Sequence, residues 1–463
     1  MDAKKLLFIY PSSYDERGRV RKQRSAGIPS RALPYLAALT PERYEVRIID
    51  ELIDDVRGDE DADLVAFTGL LTNIPRAIDL ARGYRERGIR TVIGGPGAYS
   101  LRERVVDSDV FDSIVLGEAE GLWEVVLDDL QRKRLQPQYE SECAPDLSGL
   151  PHARYDLLKL SRYMRAPVDR ESPMIPIETG RGCPHNCRYC LVSRYFGRKM
   201  RYRPVGEVVE ELRYHRAKHI VFTDDNMGMN TARATELFTA IKPLGIQWFG
   251  QFETRVAKDP ELLRLAAESG CRTAFVGMES LDPVNLDSVD KSQNVKTDLG
   301  EVATAFREAG IIVMASLIFG LDNDTPEKVE WTVEQLIRHG IDTMIPWLLT
   351  PIPRTPVYDD CKREERLLHE DYSLYDGAHV VIRPKRMTPD ELRDAFWAGL
   401  RRFYSLGPIV RRVIRAKKGR VAELMYNANV YRNVRRGLHP ILFGASPGEQ
   451  AKARQQRAVE SCG

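Results

Sequence analysis

No stretch of this sequence is apolar for long enough to span a bilayer, and the run inside MDAKKLLFIYPSS is shorter than a signal-peptide core. A cytoplasmic location is the expectation. Neither charge sign is in excess: 69 lysines and arginines face 67 aspartates and glutamates, for a net charge of +2, so no nucleic-acid partner is expected. Cysteine is scarce and badly placed for a disulfide framework. Of seven, Cys143, Cys271, Cys361 and Cys462 stand alone, and three crowd into one octapeptide. No histidine precedes His152, and there are no internal repeats. A chain of 463 residues, 43% hydrophobic and 29% charged, is then a globular protein of two or three domains.

The crowded cysteines carry the most information. Cys183-Pro184-His185-Asn186-Cys187-Arg188-Tyr189-Cys190 has CxxxCxxC spacing, with an aromatic residue before the last thiol. An iron–sulfur cube normally takes four thiolates. Three leave one iron open to a substrate or cofactor, which points to catalysis more than to plain electron transfer. Such an iron is oxygen-sensitive and favours a reducing interior. A zinc site is the competing reading, with His185 as the fourth ligand. Zinc cysteines, however, usually come as a CxxC pair answered by a second pair, and none exists here.

Ahead of this loop, short apolar runs alternate with helical segments: Leu6–Tyr10, Val46–Asp50, Leu64–Thr68, Thr91–Gly95 and Ser113–Gly117. Alternation of this kind predicts a parallel sheet with right-handed crossovers, whose ligands bind beyond the carboxyl ends of the strands. Small and polar residues gather there: Ser12, Thr68, Gly69, Gly94, Gly95, Gly117 and Glu118. Residues 136–170, with Pro137, Pro145 and Pro151, read as a linker. From 171 to 353 the alternation resumes with six strand patterns: 173–179, 219–224, 247–252, 273–277, 311–319 and 343–349. Residues 354–463 are helical and polar, then strongly basic around Arg411, Arg412, Arg415, Lys417, Lys418 and Arg420. Basic runs are most often solvated faces. This one interleaves apolar residues and suits peripheral contact with an anionic membrane or an acidic partner.

With Thr179-Gly180-Arg181-Gly182 before it, the cysteine octapeptide resembles that of the radical S-adenosylmethionine (SAM) enzymes. The resemblance implies an α/β fold: a Rossmann-like cobalamin-binding domain (1–135), a partial (β/α)6 barrel (171–353) and a C-terminal helical region covering the barrel mouth. It implies a [4Fe-4S] cluster on Cys183, Cys187 and Cys190. It implies SAM contacts from Tyr189, from Asp224 and Asp225 after the second barrel strand, from Glu253 and Arg255 after the third, from Glu279 and Ser280 after the fourth, and from Asp322 after the fifth. Cobalamin is implied at the seven strand-end residues of the first domain. Many cobalamin domains ligate cobalt through a DxHxxG histidine; here that motif is missing, as it usually is in the radical SAM methylase branch. Arg354 stands where relatives have glycine, which predicts a different turn, and a cation there also suits an acidic substrate. Tyr372, Tyr375, Asp376, Gly377 and His379 form a polar-aromatic group expected over the mouth, with His379 either a substrate contact or structural.

The implied activity is methylation of an unactivated carbon in a small-molecule or lipid substrate: one SAM methylates Co(I), and a second yields the 5′-deoxyadenosyl radical that activates the substrate. A flavodoxin- or ferredoxin-type donor would supply the electron. Three alternatives stay open: a cyclisation or rearrangement using both cofactors; an idle first domain with transfer of another SAM-derived group, such as 3-amino-3-carboxypropyl; and a non-enzymatic iron–sulfur sensor.

Overall fold

The computed structural model describes residues 4–439, apart from 24–25, 142, 167–168 and 416–419. Lys417, Lys418 and Cys462 therefore lie outside the described residues.

Six strands build the first sheet: β1 (Lys4–Tyr10), β2 (Tyr44–Asp50), β3 (Leu64–Thr68), β4 (Arg90–Gly94), β5 (Ser113–Leu116) and β6 (Gln138–Glu140). All pair in parallel, in the order β2-β1-β3-β4-β5-β6. β1 is a continuous apolar run because both faces of the sheet are covered. Leu7 and Ile9 pack with Ile74, Ala77 and Ala81 of the helix Ile74–Glu86. Leu6 and Phe8 pack on the other side with Trp123, Val126 and Leu127 of the helix Leu122–Gln131. The strand order reverses direction at β1, which opens a crevice beyond the carboxyl ends of β1 and β3. The expected linker over 136–170 is thus not all linker: its start pairs Gln138–Glu140 with β5.

The second sheet begins with a short antiparallel pair, β7 (Arg165–Ala166) and β8 (Asp169–Ile177). A small ribbon follows, β9 (Gly180–Arg181) with β10 (Arg201–Tyr202), which frames the cysteine loop and carried no periodic signal in the sequence. Then come β11 (His219–Phe222), β12 (Gln247–Phe252), β13 (Cys271–Glu279), β14 (Ile312–Phe319) and β15 (Thr343–Leu348). From β8 to β15 all pairings are parallel and β8 does not meet β15, so six strands form a half-barrel. Four crossover helices start on side-chain caps: Asn230, Asp259, Asp298 and Thr325 each accept the N–H three residues on. Each cap satisfies a donor the helix leaves open, worth about 1 kcal/mol.

The C-terminal region does not simply cover the mouth, as expected. The helix Pro389–Phe403 packs beside β15 and the helix Pro326–His339, burying Phe396, Trp397, Leu400 and Phe403 completely. The segment Tyr375, Asp376 and Gly377 lines the cavity at the carboxyl ends of the strands, and Arg366, Lys385 and Leu392 pack around the loop that follows β14.

The two sheets meet end to end. Arg31 Nη1 donates to Glu178 Oε2 at 3.0 Å, and the Tyr195 hydroxyl donates to the Gly117 carbonyl at 2.7 Å. Arg354 corrects an expectation. It takes a left-handed conformation (φ 70°), the one that glycine adopts most readily. Its guanidinium reaches not into the barrel but to the first domain, 4.4 Å over the Tyr99 ring with Nη1 3.2 Å from the Tyr99 carbonyl. That interdomain anchor offsets a backbone strain of about 1 kcal/mol.

Candidate active site between the two sheets

A cavity of about 420 Å³ lies at the carboxyl ends of the barrel strands. Cys183, Cys187 and Cys190 all line it. Burial pushes the three thiols up, Cys190 to about 12, and Cys187 adds to the rise at both Cys183 and Cys190. Among the described residues no three His, Cys, Asp or Glu side chains group around a single ion. His185, the candidate zinc ligand, instead pairs through Nε2 with Glu253 Oε2 at 2.9 Å. Three free thiols on one cavity wall fit a cluster that takes one thiolate per iron.

Four of the eight residues expected to contact SAM face this cavity: Tyr189, Asp225, Glu253 and Glu279. Glu279 is placed by an irregularity. The register between β13 and β14 shifts at Gly277/Glu279, and Glu279 takes φ 64°. Its carboxylate then sits 3.3 Å from Lys291 Nζ. A Cβ on Gly277 would lie 2.7 Å from Glu279 Oε1, so only glycine leaves that carboxylate its place. Burial drives the Asp225 carboxyl up to about 7, with the neighbouring Asp224 adding to it. A neutral Asp225 can donate as well as accept a hydrogen bond near neutral pH.

The other four lie elsewhere. Asp224 is buried behind the cavity, accepting from Thr179 N (2.8 Å) and Thr179 Oγ1 (2.6 Å), and so fastens the start of the cysteine loop to β11. Arg255 turns outward, ion-paired with Glu253 and donating to the Met229 carbonyl at 2.8 Å. Ser280 is past the bulge, on the opposite side, where its Oγ accepts from Asp282 N. Asp322 pairs with Arg366 and Lys385, both at 2.9 Å, on the outer surface. Sequence reading missed Lys291 and Ser316, which also line the cavity, as does Asn226 beside Asp225. Lys291 follows a short helix with no strand or motif to mark it.

A second cavity, of about 340 Å³, opens beyond β3, β4 and β5. Thr68, Gly94, Gly95, Gly117 and Glu118 line it as expected. Gly95 (φ 90°) admits no side chain, since a Cβ would lie 2.4 Å from Thr68 Oγ1. Ser12 and Gly69 do not line it. Ser12 is tied to Glu51 Oε2 and the Arg21 carbonyl, and the Gly69 carbonyl accepts from Gly97 N. Glu118 lines the wall, but its carboxylate is held by Arg181 and Arg201. Arg181, almost fully buried, also pairs with Glu120 (2.7 Å) and Glu178 (2.9 Å). Arg31 Nε and Nη2 are buried on this wall without a hydrogen-bond partner. A glycine cradle beside unsatisfied guanidinium donors fits a large ligand with many carbonyl acceptors, such as cobalamin. Among the described residues, no histidine lines the cavity.

His379 proves structural. Its Nε2 lies 2.7 Å from Glu16 Oε1 and its Nδ1 2.8 Å from Asp376 Oδ1, while Arg21 reaches the same aspartate at 3.2 Å. This buried cluster ties the first domain to the cavity rim. Burial pushes the imidazole down, but the two carboxylates outweigh it and hold it up at about 9. A histidine with a raised pKa stabilises the fold fully below its unfolded value, near 6.5, and the contribution is lost as pH rises through about 9. The melting temperature of the apoprotein is therefore expected to fall between pH 6.5 and 9.5, and His379→Gln is expected to flatten that slope. An unchanged slope in thermal unfolding of the variant would count against the assignment.

Residues 177–336 match the model of the radical SAM superfamily. The chain is 26% identical over 418 residues to bacteriochlorophyllide d C-12(1)-methyltransferase of Chlorobaculum tepidum, covering 89% of each chain. It is 28% identical over 360 residues to hopanoid C-2 methylase of Rhodopseudomonas palustris, covering 75% of this chain and 67% of that one. Its fold is similar to the solved structure of the cobalamin-dependent SAM radical enzyme OxsB with aqua-cobalamin and SAM bound, with a TM-score of 0.66 and 11% identity over 99% of this chain and 76% of that one. The family match starts at the last residue of β8, so the three-cysteine loop opens what is, over residues 177–336, a radical SAM domain.

Proposed function

We propose that this protein is a cobalamin-dependent radical SAM enzyme that methylates an unactivated carbon of a small-molecule or lipid substrate. One observation carries the reading: a single stretch of chain walls both cavities. Glu178, Arg181, Tyr195 and Phe196 line the glycine-cradled cavity, and Cys183 to Val192 line the other. When bound, the cluster and SAM supply the one-electron chemistry that takes hydrogen from carbon, and cobalamin supplies the methyl group.

The chain's own residues position and shield. The three cysteines would hold the cluster. Asp225, Glu253 and Glu279 offer acceptors, and the first also a donor, to the amino and hydroxyl groups of SAM. Phe275, Ile318, Trp347 and Ile352 give the same cavity an apolar wall that keeps water from a reactive carbon centre. Gly377 presses on Trp347, where a Cβ would lie 2.7 Å from the ring. A tetrapyrrole or polycyclic hydrocarbon, as the relatives' names suggest, suits that wall. The electron would come from a flavodoxin- or ferredoxin-type protein.

The test uses SAM labelled with deuterium in the methyl group, the anaerobically reconstituted enzyme, and a panel of tetrapyrroles and triterpenoids. Expected products are 5′-deoxyadenosine, S-adenosylhomocysteine and a substrate heavier by one labelled methyl group. Methylthioadenosine in their place would mean cleavage at another SAM bond and would overturn methylation.

A further inference from the structure

We infer that the exposed face of the helix Leu406–Arg415 docks on an anionic lipid surface. Leu406, Val410 and Ile414 stand 64%, 54% and 67% exposed at four-residue spacing. On a helix of 3.6 residues per turn they cover one sector of about 80°, and Arg411 and Arg415 occupy the next. Both arginines are exposed.

The rotation of the helix is fixed from its inner side. Arg412 lies 4.2 Å over the Phe403 ring and donates to the Phe403 carbonyl (3.0 Å) and to Asn427 Oδ1 (2.8 Å). With Arg412 and Ile409 turned in, the apolar stripe cannot roll into the core.

Charge selects the occupant. Between Asp394 and Glu423 the sequence has eight lysines and arginines and no acidic residue. The terminal segment 440–463 is close to neutral, with Glu449 and Glu460 against Lys452, Arg454 and Arg457, and offers no complement to a basic face. An acidic protein surface would match the arginines but has no use for three aliphatic side chains in line. A bilayer interface takes both: acyl chains for the stripe, anionic headgroups for the cations.

The position also fits. A Cβ on Gly340, just ahead of β15, would lie 2.7 Å from Arg415 Nη1. The helix therefore sits at the amino end of the barrel, and docking leaves both cavities, at the carboxyl ends, uncovered. The inference is independent of the catalytic reading.

Full-length reconstituted protein would be sedimented with phosphatidylcholine vesicles containing about a third phosphatidylglycerol, and with phosphatidylcholine alone. Expected is binding to the anionic vesicles only, weakened by salt. Val410→Ser with Ile414→Ser should lower it at least about tenfold. Arg411→Gln should lower it about fivefold. SAM cleavage without vesicles should be unchanged in each, since none of these residues touches a cavity. Circular dichroism confirms that the variants fold. No sedimentation at low salt overturns the inference. So does binding that survives the serine pair but not the arginine change, which would mark charge adsorption alone, with no part for the apolar stripe.

Discussion

Arg181→Met is expected to destabilise the protein by about 3–5 kcal/mol, the range for removing one partner from a buried ionic cluster. The guanidinium is the shared partner of Glu118, Glu120 and Glu178, with only 6% of its side chain exposed. Burial pushes the Glu120 and Glu178 carboxyls up, yet both end below the usual range. For Glu120 the main counterweight is Arg181; for Glu178 it is Arg31, then Arg181. Without Arg181, Glu118 keeps Arg201, Glu178 keeps Arg31, and Glu120 keeps the Tyr35 hydroxyl at 2.7 Å and a backbone N–H but no cation. The Glu120 carboxyl then rises above its unfolded value. A raised acid penalises folding once pH exceeds its unfolded pKa, about 4.3, so the deficit should shrink as pH falls toward that value. Denaturant unfolding of the apoprotein at pH 5 and pH 8 measures this. Wild-type stability at both would contradict the view that this cluster clamps the two domains.

Replacing any one of Cys183, Cys187 or Cys190 by alanine should abolish the cluster and lower SAM cleavage by at least about a thousandfold. Stability should change little at Cys183 and Cys190, which are only partly buried on a cavity wall, and somewhat more at Cys187, which is buried. Cys271 and Cys361 offer the control: both are buried in the cores, away from the cavity, and alanine there should cost stability but not iron. The raised pKa values add a sign. Thiols held protonated must lose their protons to bind iron, so assembly releases protons and should be more complete at pH 8.5 than at pH 7. Iron content and anaerobic SAM cleavage, measured together, test both statements. Full iron in a Cys187→Ala variant would exclude the three-thiolate site.

The sequence made the strands legible because most read as apolar runs between turn residues, with β1 and β3 buried on both faces of their sheet. β12 was placed at Gln247–Phe252, as the structure has it. The cysteine loop was legible because three identical ligands at fixed spacing have few other uses. Side-chain direction was not. Asp224 and Asp225 are adjacent on one strand end, yet one faces Thr179 and the other the cavity, as alternation dictates once the register is known. The Gly277/Glu279 bulge turned Glu279 inward and Ser280 outward, a local shift that no pattern announces. Arg354 shows the converse error. A rule about glycine predicted a turn without positive φ, yet Arg354 takes φ 70° with its guanidinium held over a long-range partner, Tyr99. Arg31 and Lys291 were missed because their significance lies in partners distant along the chain: Glu178 and Glu279, respectively.

The most direct test of cobalamin-dependent chemistry is cobalamin binding by the anaerobically reconstituted protein. It is read from the visible spectrum and from the paramagnetic resonance of the Co(II) form. The expected result is one cobalamin per chain with no hyperfine splitting from a protein nitrogen, because among the described residues no histidine lines the glycine-cradled cavity. Absence of binding alongside an intact, SAM-cleaving cluster would contradict the account and leave SAM chemistry without cobalamin in its place.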